Sequence, residues 1–379
     1  MKYKELLMKK NKIGLITTHD TNNYGAILQT FALYHFLSKF RKIEIINYDN
    51  YHISDSMRVL RFEASLIGIL RLVKDLLRLF PRFSVIKKIR KFQNEFFLMT
   101  KKVNKENIKD LNLEDFGYLI SGSDQIWNPA CMTSNKSIDG TYFLNFAENI
   151  TKISYASSLG SYIFSDIEQK TVRKNLIDFK HISVREEDAK IQLEKFINRR
   201  IDHVLDPTLL LSQKDWVDLF RLKKSEYREK YILLYSVPHT KLLKNICNHF
   251  SSELNLPIYS INQNPFSSIK INKHIKSAGP KEFLDLFFNA EFVITDSFHG
   301  VCFSTNFNKN FIVAKPEGLS NRIESLLKSV GLNDRMINSS EEIEKTENII
   351  NFERANSLLL NLRKNSKSFL QRAIDINKV

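Results

Sequence analysis

The stretch Phe292–Gly300 is the part of this chain best suited to chemistry. An apolar, β-branched run ends at Thr295, a short polar turn follows, and His299-Gly300 opens a second apolar stretch. This pattern predicts a strand, a turn and a helix, which place side chains and backbone N–H groups at the C-terminal edge of a sheet. A helix N-terminus favours anions, and a histidine there can donate to a phosphate or transfer a proton near neutral pH. The stretch therefore predicts a site for an anionic substrate.

Four further polar segments also follow apolar runs that are typical of strands. They are Asp20–Gly25, Gly122–Gln125, Ser157–Gly160 and Arg185-Glu186. Each segment alone is weak evidence, because Gly, Asn, Ser and Asp are ordinary turn residues. Their repeated position after strands is what a ligand cleft at the edge of a parallel sheet requires. The pattern predicts one site built from several loops.

Four side chains in these regions are candidates for function, and each has a structural alternative. Arg185 suits a bidentate pair with a carboxylate or phosphate, or a surface ion pair with a neighbouring glutamate. His299 suits phosphate binding or proton transfer, or it is a buried histidine bonded to a backbone carbonyl. Asp124 is either a base or the cap of its turn. Arg322 either closes over a ligand or covers a helix surface with its stem.

The elements that must position these loops alternate between apolar strands and amphipathic helices, which predicts an α/β fold with parallel sheets. In the first half, a strand at Lys12–Thr17 precedes a helix at Ala26–Phe40 and a strand at Lys42–Tyr48. The second half restarts with a buried-type strand at Tyr231–Val237. A length of 379 residues suits two domains. We expect two Rossmann-like domains around a cleft.

The expected boundaries follow the same alternation. The N-terminal domain spans 1–215, the C-terminal domain spans 230–345, and a C-terminal helix lies within 346–379. A basic helical insertion at about 57–102 mixes Arg and Lys with Leu, Ile and Phe. Either it forms solvated helices whose apolar faces pack on the core, which the general rule for amphipathic helices favours, or it is a basic hairpin that contacts an anionic membrane surface.

Composition narrows the classes of function. A net charge of +15 indicates either a generally basic surface or attraction to anionic substrates or lipid head groups. No helix-turn-helix, zinc-finger or RRM signature is visible, so a nucleic-acid partner is not expected. The three cysteines are far apart, and the N-terminus lacks the apolar core of a secretory signal, so a cytoplasmic location is expected. No apolar run approaches the roughly 18 residues of a membrane span.

Several familiar site motifs are absent from the sequence. There is no GxGxxG after the first strand and no GxxxxGK[ST], which argues against a dinucleotide site and a P-loop enzyme. There is no HExxH, no dense carboxylate cluster and no GxSxG elbow. We therefore expect no metal and no tightly bound cofactor.

The ordered set of motifs resembles the polysaccharide pyruvyl transferase family over about residues 12–335. The resemblance rests on Thr17–Ala26, Gly122–Asn128, Ser154–Gly160, Ser183–Glu186, Leu205–Thr208 and Thr295–Gly300. It implies a fold similar to GT-B glycosyltransferases, with the acceptor on the N-terminal side and the donor on the C-terminal side. It also implies transfer of a pyruvyl group from phosphoenolpyruvate, as co-substrate, to hydroxyls of a sugar in a cell-surface polysaccharide or its precursor, giving a pyruvate ketal. The acceptor would then be a sugar or a lipid-linked oligosaccharide in exopolysaccharide synthesis for the cell envelope.

Residue by residue, Arg185 matches the family arginine implicated in donor binding, and His299 matches the histidine of an Arg-Leu-His-Gly-like motif. Ser297 stands where many members have a second arginine, and Phe298 where they have leucine. Either Arg322 or a nearby lysine compensates for the lost cation, or the donor differs. We expect His299 and Arg185 to be catalytic. The expected donor-binding residues are Arg185, Ser297, His299, Gly300 and Arg322, and the expected acceptor-binding residues are Asp20, Asn23, Tyr24, Asp124 and Gln125.

Two other functions stay open from the sequence. One is a GT-B glycosyltransferase that uses a nucleotide sugar in surface-glycan synthesis. The other is a scaffold for glycan assembly that associates with the inner face of the membrane through the basic segment at 57–102.

Overall fold

The computed structural model describes residues 11–61, 65–224, 229–236, 240–262, 268–316 and 321–376. Residues 1–10, on which the expectation about a secretory signal falls, and Val237 of the predicted strand lie outside these ranges. The described strands are β1 (Lys12–Ile16), β2 (Ile43–Ile45), β3 (Phe116–Ser121), β4 (Thr151–Ser154), β5 (Phe179–His181), β6 (Ser183–Val184), β7 (Asp202–His203), β8 (Ile232–Tyr235), β9 (Ile258–Ile261), β10 (Lys273–Ile275), β11 (Phe292–Thr295), β12 (Asn310–Ala314) and β13 (Met336–Ile337).

Helices alternate with these strands along most of the chain. The described α-helices are α1 (Tyr24–Ser38), α2 (Tyr51–Ser54), α3 (Leu66–Leu77), α4 (Leu79–Phe96), α5 (Pro129–Met132), α6 (Asp166–Leu176), α7 (Glu187–Ile197), α8 (Gln213–Phe220), α9 (Lys241–Glu253), α10 (Pro280–Asn289), α11 (Phe298–Asn306), α12 (Asn321–Val330) and α13 (Glu353–Ala373). No helix in the described ranges is long and apolar enough to cross a membrane.

The chain divides into two compact units, of which the first contains Met1–Ser56, Gln93–Leu210 and Leu360–Val379. Its main sheet is parallel, with the strand order β2-β1-β3-β4-β5. This is the flavodoxin-like doubly wound order, whose direction reverses between β1 and β3. Helix α1 has buried side chains on all sides, as expected for a helix in the interior of an α/β unit.

The second unit contains Met57–Phe92 and Leu211–Leu359. Its sheet is parallel throughout, with the order β10-β9-β8-β11-β12-β13. Counted from the first strand of the unit, this is the 3-2-1-4-5-6 order of the Rossmann fold, which reverses between β8 and β11. All nine residues of α11 are buried beside this sheet. The predicted α/β class with parallel sheets and Rossmann-like units is confirmed.

The observed boundary between the two units differs from the predicted one in the basic segment. Residues 57–92 group with the second unit instead of inserting into the first. The reason is packing between distant parts of the chain: the ring of Phe92 stacks on that of Phe220 at 5.9 Å, and Lys88 Nζ donates to the carbonyl oxygen of Ser277 at 2.9 Å. Such contacts leave no local pattern in the sequence.

The favoured interpretation required both helices of this segment, α3 and α4, to pack their apolar faces on the core. Only one of them does so. Helix α4 does so, since Val85, Ile86 and Ile89 are buried. Helix α3 does not, because Leu70 and Leu77 are exposed while the charged residue Asp75 is buried. The favoured interpretation is therefore wrong for α3, whose orientation is set by its polar contacts.

Candidate active site

In the first unit, the polar loops after β1 and β3 meet where the strand order reverses. Thr18 Oγ1 donates to Asp124 Oδ2 at 2.8 Å, and Thr17 Oγ1 donates to the carbonyl oxygen of Ser123 at 3.0 Å. Asp124 adopts a left-handed backbone (φ +76°), and its Oδ1 accepts from the backbone N–H of Gln125 at 2.9 Å. The carboxylate of Asp124 is thus fixed at the reversal point, the usual ligand position in open α/β sheets. It also caps its own turn, so both of its proposed roles are compatible with the geometry.

The other residues expected to face an acceptor lie on the same two loops. Asp20 is buried, Asn23 is exposed and Tyr24 is half-buried at the start of α1. The side chain of Asn23 accepts from the backbone N–H of Ala26 at 3.3 Å, so Asn23 caps α1. Gln125 Oε1 accepts from Asn128 Nδ2 at 3.0 Å.

A buried ionic cluster surrounds Arg185 beside these loops. Its Nη1 donates to Asp206 Oδ2 at 2.9 Å, its Nε to Glu186 Oε1 at 3.1 Å and its Nη2 to Ser158 Oγ at 3.1 Å. Burial alone would lower the pKa of Arg185, but the carboxylates of Glu186 and Asp206 raise that pKa above its ordinary value. The predicted ion pair with a neighbouring glutamate therefore exists, although in the interior and not at the surface.

The same cluster ties several loops together. Ser158 Oγ, after β4, donates to Glu186 Oε1 at 2.6 Å, and Ser123 Oγ, after β3, donates to Asp206 Oδ2 at 3.1 Å. Because the guanidinium of Arg185 is hydrogen-bonded to two carboxylates and a hydroxyl of the protein, Arg185 supports the shape of the loops. Its expected role in donor binding stays a prediction.

Thr17, Thr18 and Asp206 hold this site together with Ser123 and Ser158, yet the pattern of polar loops singled out only the segments that contain the two serines. The available signal for Thr17, Thr18 and Asp206 was their presence in the motifs Thr17–Ala26 and Leu205–Thr208. Their partners lie far away in sequence, which is why their hydrogen bonds could not be foreseen.

In the second unit, the ends of β8 and β11 meet at the corresponding reversal point. Ser236 Oγ donates to Asp296 Oδ2 at 2.7 Å, which joins the two strand ends. Thr295 Oγ1 donates to the carbonyl oxygen of Tyr235 at 2.6 Å and accepts from the backbone N–H of Ser297 at 3.0 Å. A Cβ on Gly300 would collide with the Thr295 side chain, so glycine lets α11 approach β11 closely. The N-terminus of α11 is thereby fixed beside the strand ends.

Cationic and donor groups gather at this helix N-terminus. Ser297 is the residue before α11, and His299 is buried in its first turn. The guanidinium carbon of Arg322, on α12, lies 5.9 Å from the centroid of the Phe298 ring. Arg322 therefore brings a positive charge beside the first turn of α11. Together with the positive end of the helix dipole, this arrangement favours an anionic ligand, whereas the carboxylate of Asp296 opposes one.

The structure thus brings Ser297, His299, Gly300 and Arg322 together in the second unit. It brings Asp124, Gln125 and Arg185 together with the β1 loop in the first unit. Among the described residues, no group of three or more His, Cys, Asp and Glu side chains is placed to hold a metal ion.

The parallel sheets have doubly wound strand orders and polar loops at both reversal points. The chain is therefore an α/β protein whose candidate sites lie at the carboxyl ends of its strands. The family model of polysaccharide pyruvyl transferases matches residues 23–315, and the chain belongs to this family of transferases. The match includes Asp124, Arg185 and His299, whereas Asp20 and Arg322 lie outside it.

Comparisons with individual proteins do not assign the chain more narrowly than to this family. No curated protein sequence matches the chain. Among solved structures, the UDP-GlcNAc 2-epimerase from Methanocaldococcus jannaschii in complex with UDP-GlcNAc and UDP is similar, with 15% identity and a TM-score of 0.49 over 93% of this chain and 99% of that one. Sucrose-phosphate synthase from Thermosynechococcus elongatus has 12% identity and a TM-score of 0.42 over 97% of both chains. The heptosyltransferase WaaC from E. coli, solved with ADP, has 11% identity and a TM-score of 0.39 over 93% of this chain and 99% of that one.

Proposed function

We propose that this transferase moves a pyruvyl group from phosphoenolpyruvate to two hydroxyls of a sugar in a cell-surface polysaccharide or its precursor, giving a pyruvate ketal. The observation that carries the proposal is the family match over residues 23–315, which spans the reversal point of the second unit and the β3 loop of the first. The proposed place of reaction is the cytoplasm, at the inner face of the membrane.

The proposed donor site is the N-terminus of α11. Phosphoenolpyruvate carries a carboxylate and a phosphate, which require cations and N–H donors. The backbone at Ser297–Gly300 and the helix dipole suit one anionic group, and the guanidinium of Arg322 near the Phe298 ring suits the other. Arg322 would then replace part of the charge that Ser297 lacks relative to family members.

The proposed chemistry needs one proton donor and two nucleophilic hydroxyls. His299, as imidazolium, gives a proton to the methylene carbon of phosphoenolpyruvate, while the first sugar hydroxyl forms a bond to C2 and loses its proton. The bond from C2 to the phosphate oxygen then breaks, and the second hydroxyl forms a bond to C2. One of the two hydroxyl protons restores the imidazolium, and the other leaves with inorganic phosphate, so no oxidant or reductant is needed.

The proposed acceptor site uses the β1 and β3 loops of the first unit. Asp124, oriented by Thr18 and by the N–H of Gln125, suits removal of a hydroxyl proton. Asp20, Asn23, Tyr24 and Gln125 supply further polar groups for sugar hydroxyls. In this proposal Arg185 acts on the acceptor site through the loops that it holds.

The proposal is tested by thermal unfolding with phosphoenolpyruvate, inorganic phosphate and nucleoside diphosphates. A ligand at about 100 times its Kd stabilises the folded protein by about 2.7 kcal/mol. We expect a shift that phosphoenolpyruvate produces and inorganic phosphate does not. Release of phosphate from phosphoenolpyruvate that requires added sugar acceptors would then establish transfer. A shift with a uridine or guanosine diphosphate alone would contradict the proposal and favour a nucleotide-sugar glycosyltransferase.

A further inference from the structure

Helix α3 and the first turns of α4 expose a continuous group of large apolar side chains. Their exposed fractions run from 50% at Val73 to 82% at Phe80. The exposed residues are Ile69, Leu70, Val73, Leu76, Leu77, Phe80 and Phe83, here named the α3–α4 surface. The spacing within α3 follows i, i+4 and i+7, so these side chains lie on one face of the helix. A contiguous apolar surface of this kind indicates an interaction site.

The orientation of α3 is fixed by its charged side. Asp75 is buried, and its Oδ1 accepts from Arg78 Nη2 at 2.7 Å and from Arg61 Nη2 at 2.8 Å. Burial alone would raise the pKa of Asp75, but the hydrogen bonds from Arg61 and Arg78 lower that pKa to about 2. A surface helix of a globular protein normally turns its apolar side inward. Here the ionic contacts hold the polar side inward, which leaves the apolar side for an external partner.

The sequence of α3 and of the first part of α4 is strongly basic. Between residues 66 and 92 the sequence has eight basic residues, and Asp75, which is buried between two arginines, is the single acidic residue. The basic residues are Arg71, Lys74, Arg78, Arg82, Lys87, Lys88, Arg90 and Lys91. Of these, Arg71, Lys74, Lys87, Arg90 and Lys91 are exposed. An apolar helix face bordered by Lys and Arg is the pattern of helices that lie in the interface of anionic membranes.

We propose that the α3–α4 surface docks on an anionic lipid bilayer, with its apolar side chains below the head groups and the exposed basic residues of α3 and α4 on the lipid phosphates. A second copy of this chain fits the charge pattern less well. In a symmetric dimer the same surface would meet itself, so the basic residues of one copy would face those of the other. The proposal is independent of the donor and acceptor sites, because it concerns residues outside both.

The direct test is sedimentation of the full chain with vesicles. We expect binding to phosphatidylcholine vesicles that contain about 30% phosphatidylglycerol, and much weaker binding to phosphatidylcholine alone. Binding to the anionic vesicles should weaken as salt rises, because screening reduces the attraction between the basic residues and the lipid phosphates.

The apolar contribution is tested by the combined change Leu70→Ser, Leu77→Ser and Phe80→Ser, which leaves the charge unchanged. We expect the affinity for anionic vesicles to fall by at least about tenfold, because large apolar side chains no longer enter the acyl boundary. The matched control is Ile167→Ser, Ile177→Ser and Ile349→Ser, three residues outside this surface with exposed fractions of 68% to 78%. The control should bind vesicles as the unchanged protein does.

The electrostatic contribution is tested by Arg71→Gln, Lys74→Gln and Lys91→Gln. This variant should bind anionic vesicles more weakly and with a smaller salt dependence, since fewer charges face the lipid. Its control is Lys105→Gln, Lys109→Gln and Lys136→Gln, which removes the same charge from exposed positions elsewhere.

Two outcomes would overturn the proposal. One is equal vesicle binding by the unchanged protein and the triple serine variant. The other is a dimer in sedimentation velocity that the triple serine change dissociates, together with no vesicle binding, which would assign the surface to a second copy of the chain. Neither outcome bears on phosphoenolpyruvate binding, which is measured without vesicles.

Discussion

Arg185 and Asp206 form a buried ion pair, with Nη1 of the arginine donating to Oδ2 of the aspartate at 2.9 Å. The two side chains have exposed fractions of 2% and 0%, although 21 residues separate them in sequence. Because Glu186 contacts the same guanidinium, removal of Arg185 leaves two carboxylates in the interior without their cation. This pairing governs how a variant at Arg185 has to be interpreted.

Arg185→Ala should destabilise the first unit by about 3–5 kcal/mol, because breaking a buried ion pair leaves uncompensated buried charge. Urea unfolding followed by circular dichroism measures the change. The control Arg200→Ala removes an exposed guanidinium 3.5 Å from Asp202 and should change stability little. Equal stability of Arg185→Ala and the unchanged protein would contradict the structural role of Arg185. Lost turnover in this variant therefore has to be separated from lost folding.

His299→Gln should lower phosphoenolpyruvate-dependent turnover by about 10²–10⁴-fold, the usual contribution of a positioned acid or base. Glutamine keeps a polar side chain at this buried position at the start of α11. The unfolding temperature should therefore change little, whereas turnover falls strongly. Phosphate release in the presence of acceptor measures turnover. His274→Gln, at an exposed position of the same unit, is the control. Unimpaired turnover in His299→Gln would remove the histidine from the mechanism.

Arg322→Ala should weaken phosphoenolpyruvate binding. A hydrogen bond to a charged group contributes about 1.5–3 kcal/mol, so Kd should rise by about 10- to 100-fold. Isothermal titration calorimetry gives this value directly. The control Lys328→Ala removes an exposed cation from the same helix and should leave Kd as it was. If both variants bind phosphoenolpyruvate as tightly as the unchanged protein, Arg322 does not compensate for Ser297.

Gly160→Ala should impair the acceptor side of the site. Gly160 has φ +62°, and a Cβ there would collide with Oε1 of Gln125, one of the predicted acceptor-binding residues. Gly331 has a similar backbone, φ +71°, but more space around it, so Gly331→Ala carries only the conformational cost of about 1–2 kcal/mol.

We expect both variants to lose stability and only Gly160→Ala, which displaces the Gln125 side chain, to raise the KM for the acceptor sugar, with the KM for phosphoenolpyruvate little changed. Steady-state kinetics with each substrate varied in turn separates the two effects. An unchanged KM for the acceptor would exclude Gln125 from acceptor binding.

The ionisation of Lys309 makes the stability of the second unit depend on pH in the alkaline range. Burial and the nearby charge of Lys224 lower the pKa of Lys309 to about 8, while its Nζ donates to the carbonyl oxygen of Ala290 at 2.9 Å. In the unfolded chain the pKa of lysine is about 10.4. Between about pH 8 and this value the unfolded state therefore binds more protons than the folded state, and the free energy of unfolding rises with pH. The stabilisation that comes from deprotonated Lys309 is complete above the pKa of lysine in the unfolded chain. It is lost as pH falls through the pKa of Lys309 in the folded protein.

Relative to Lys309→Met, the unchanged protein should therefore gain stability as pH rises from about 8 to about 10. Urea unfolding of both proteins across this range measures the difference, and other titrating groups cancel in the comparison. A difference that stays constant with pH would show that burial does not shift the pKa of Lys309.

Local elements were largely predictable. The strand and helix expected around Thr295 and His299 are β11 and α11, and the first predicted strand is β1, one residue shorter than expected. Helix α1 lies at Tyr24–Ser38 against an expected Ala26–Phe40. These elements are encoded by the spacing of apolar residues and by turn-forming residues, which act over a few positions along the chain. The placement of polar loops after strands was predictable for the same reason.

The sequence by itself therefore determined the α/β class, the family and the positions of the polar loops. Only the tertiary structure decided that Arg185 meets Asp206 and Glu186 in the interior, because a guanidinium suits a ligand and a protein carboxylate equally well until distant loops are brought together. Only the tertiary structure decided which way α3 faces. Periodicity gives a helix an apolar side, but the pairing of Asp75 with Arg61 and Arg78 turns that side outward.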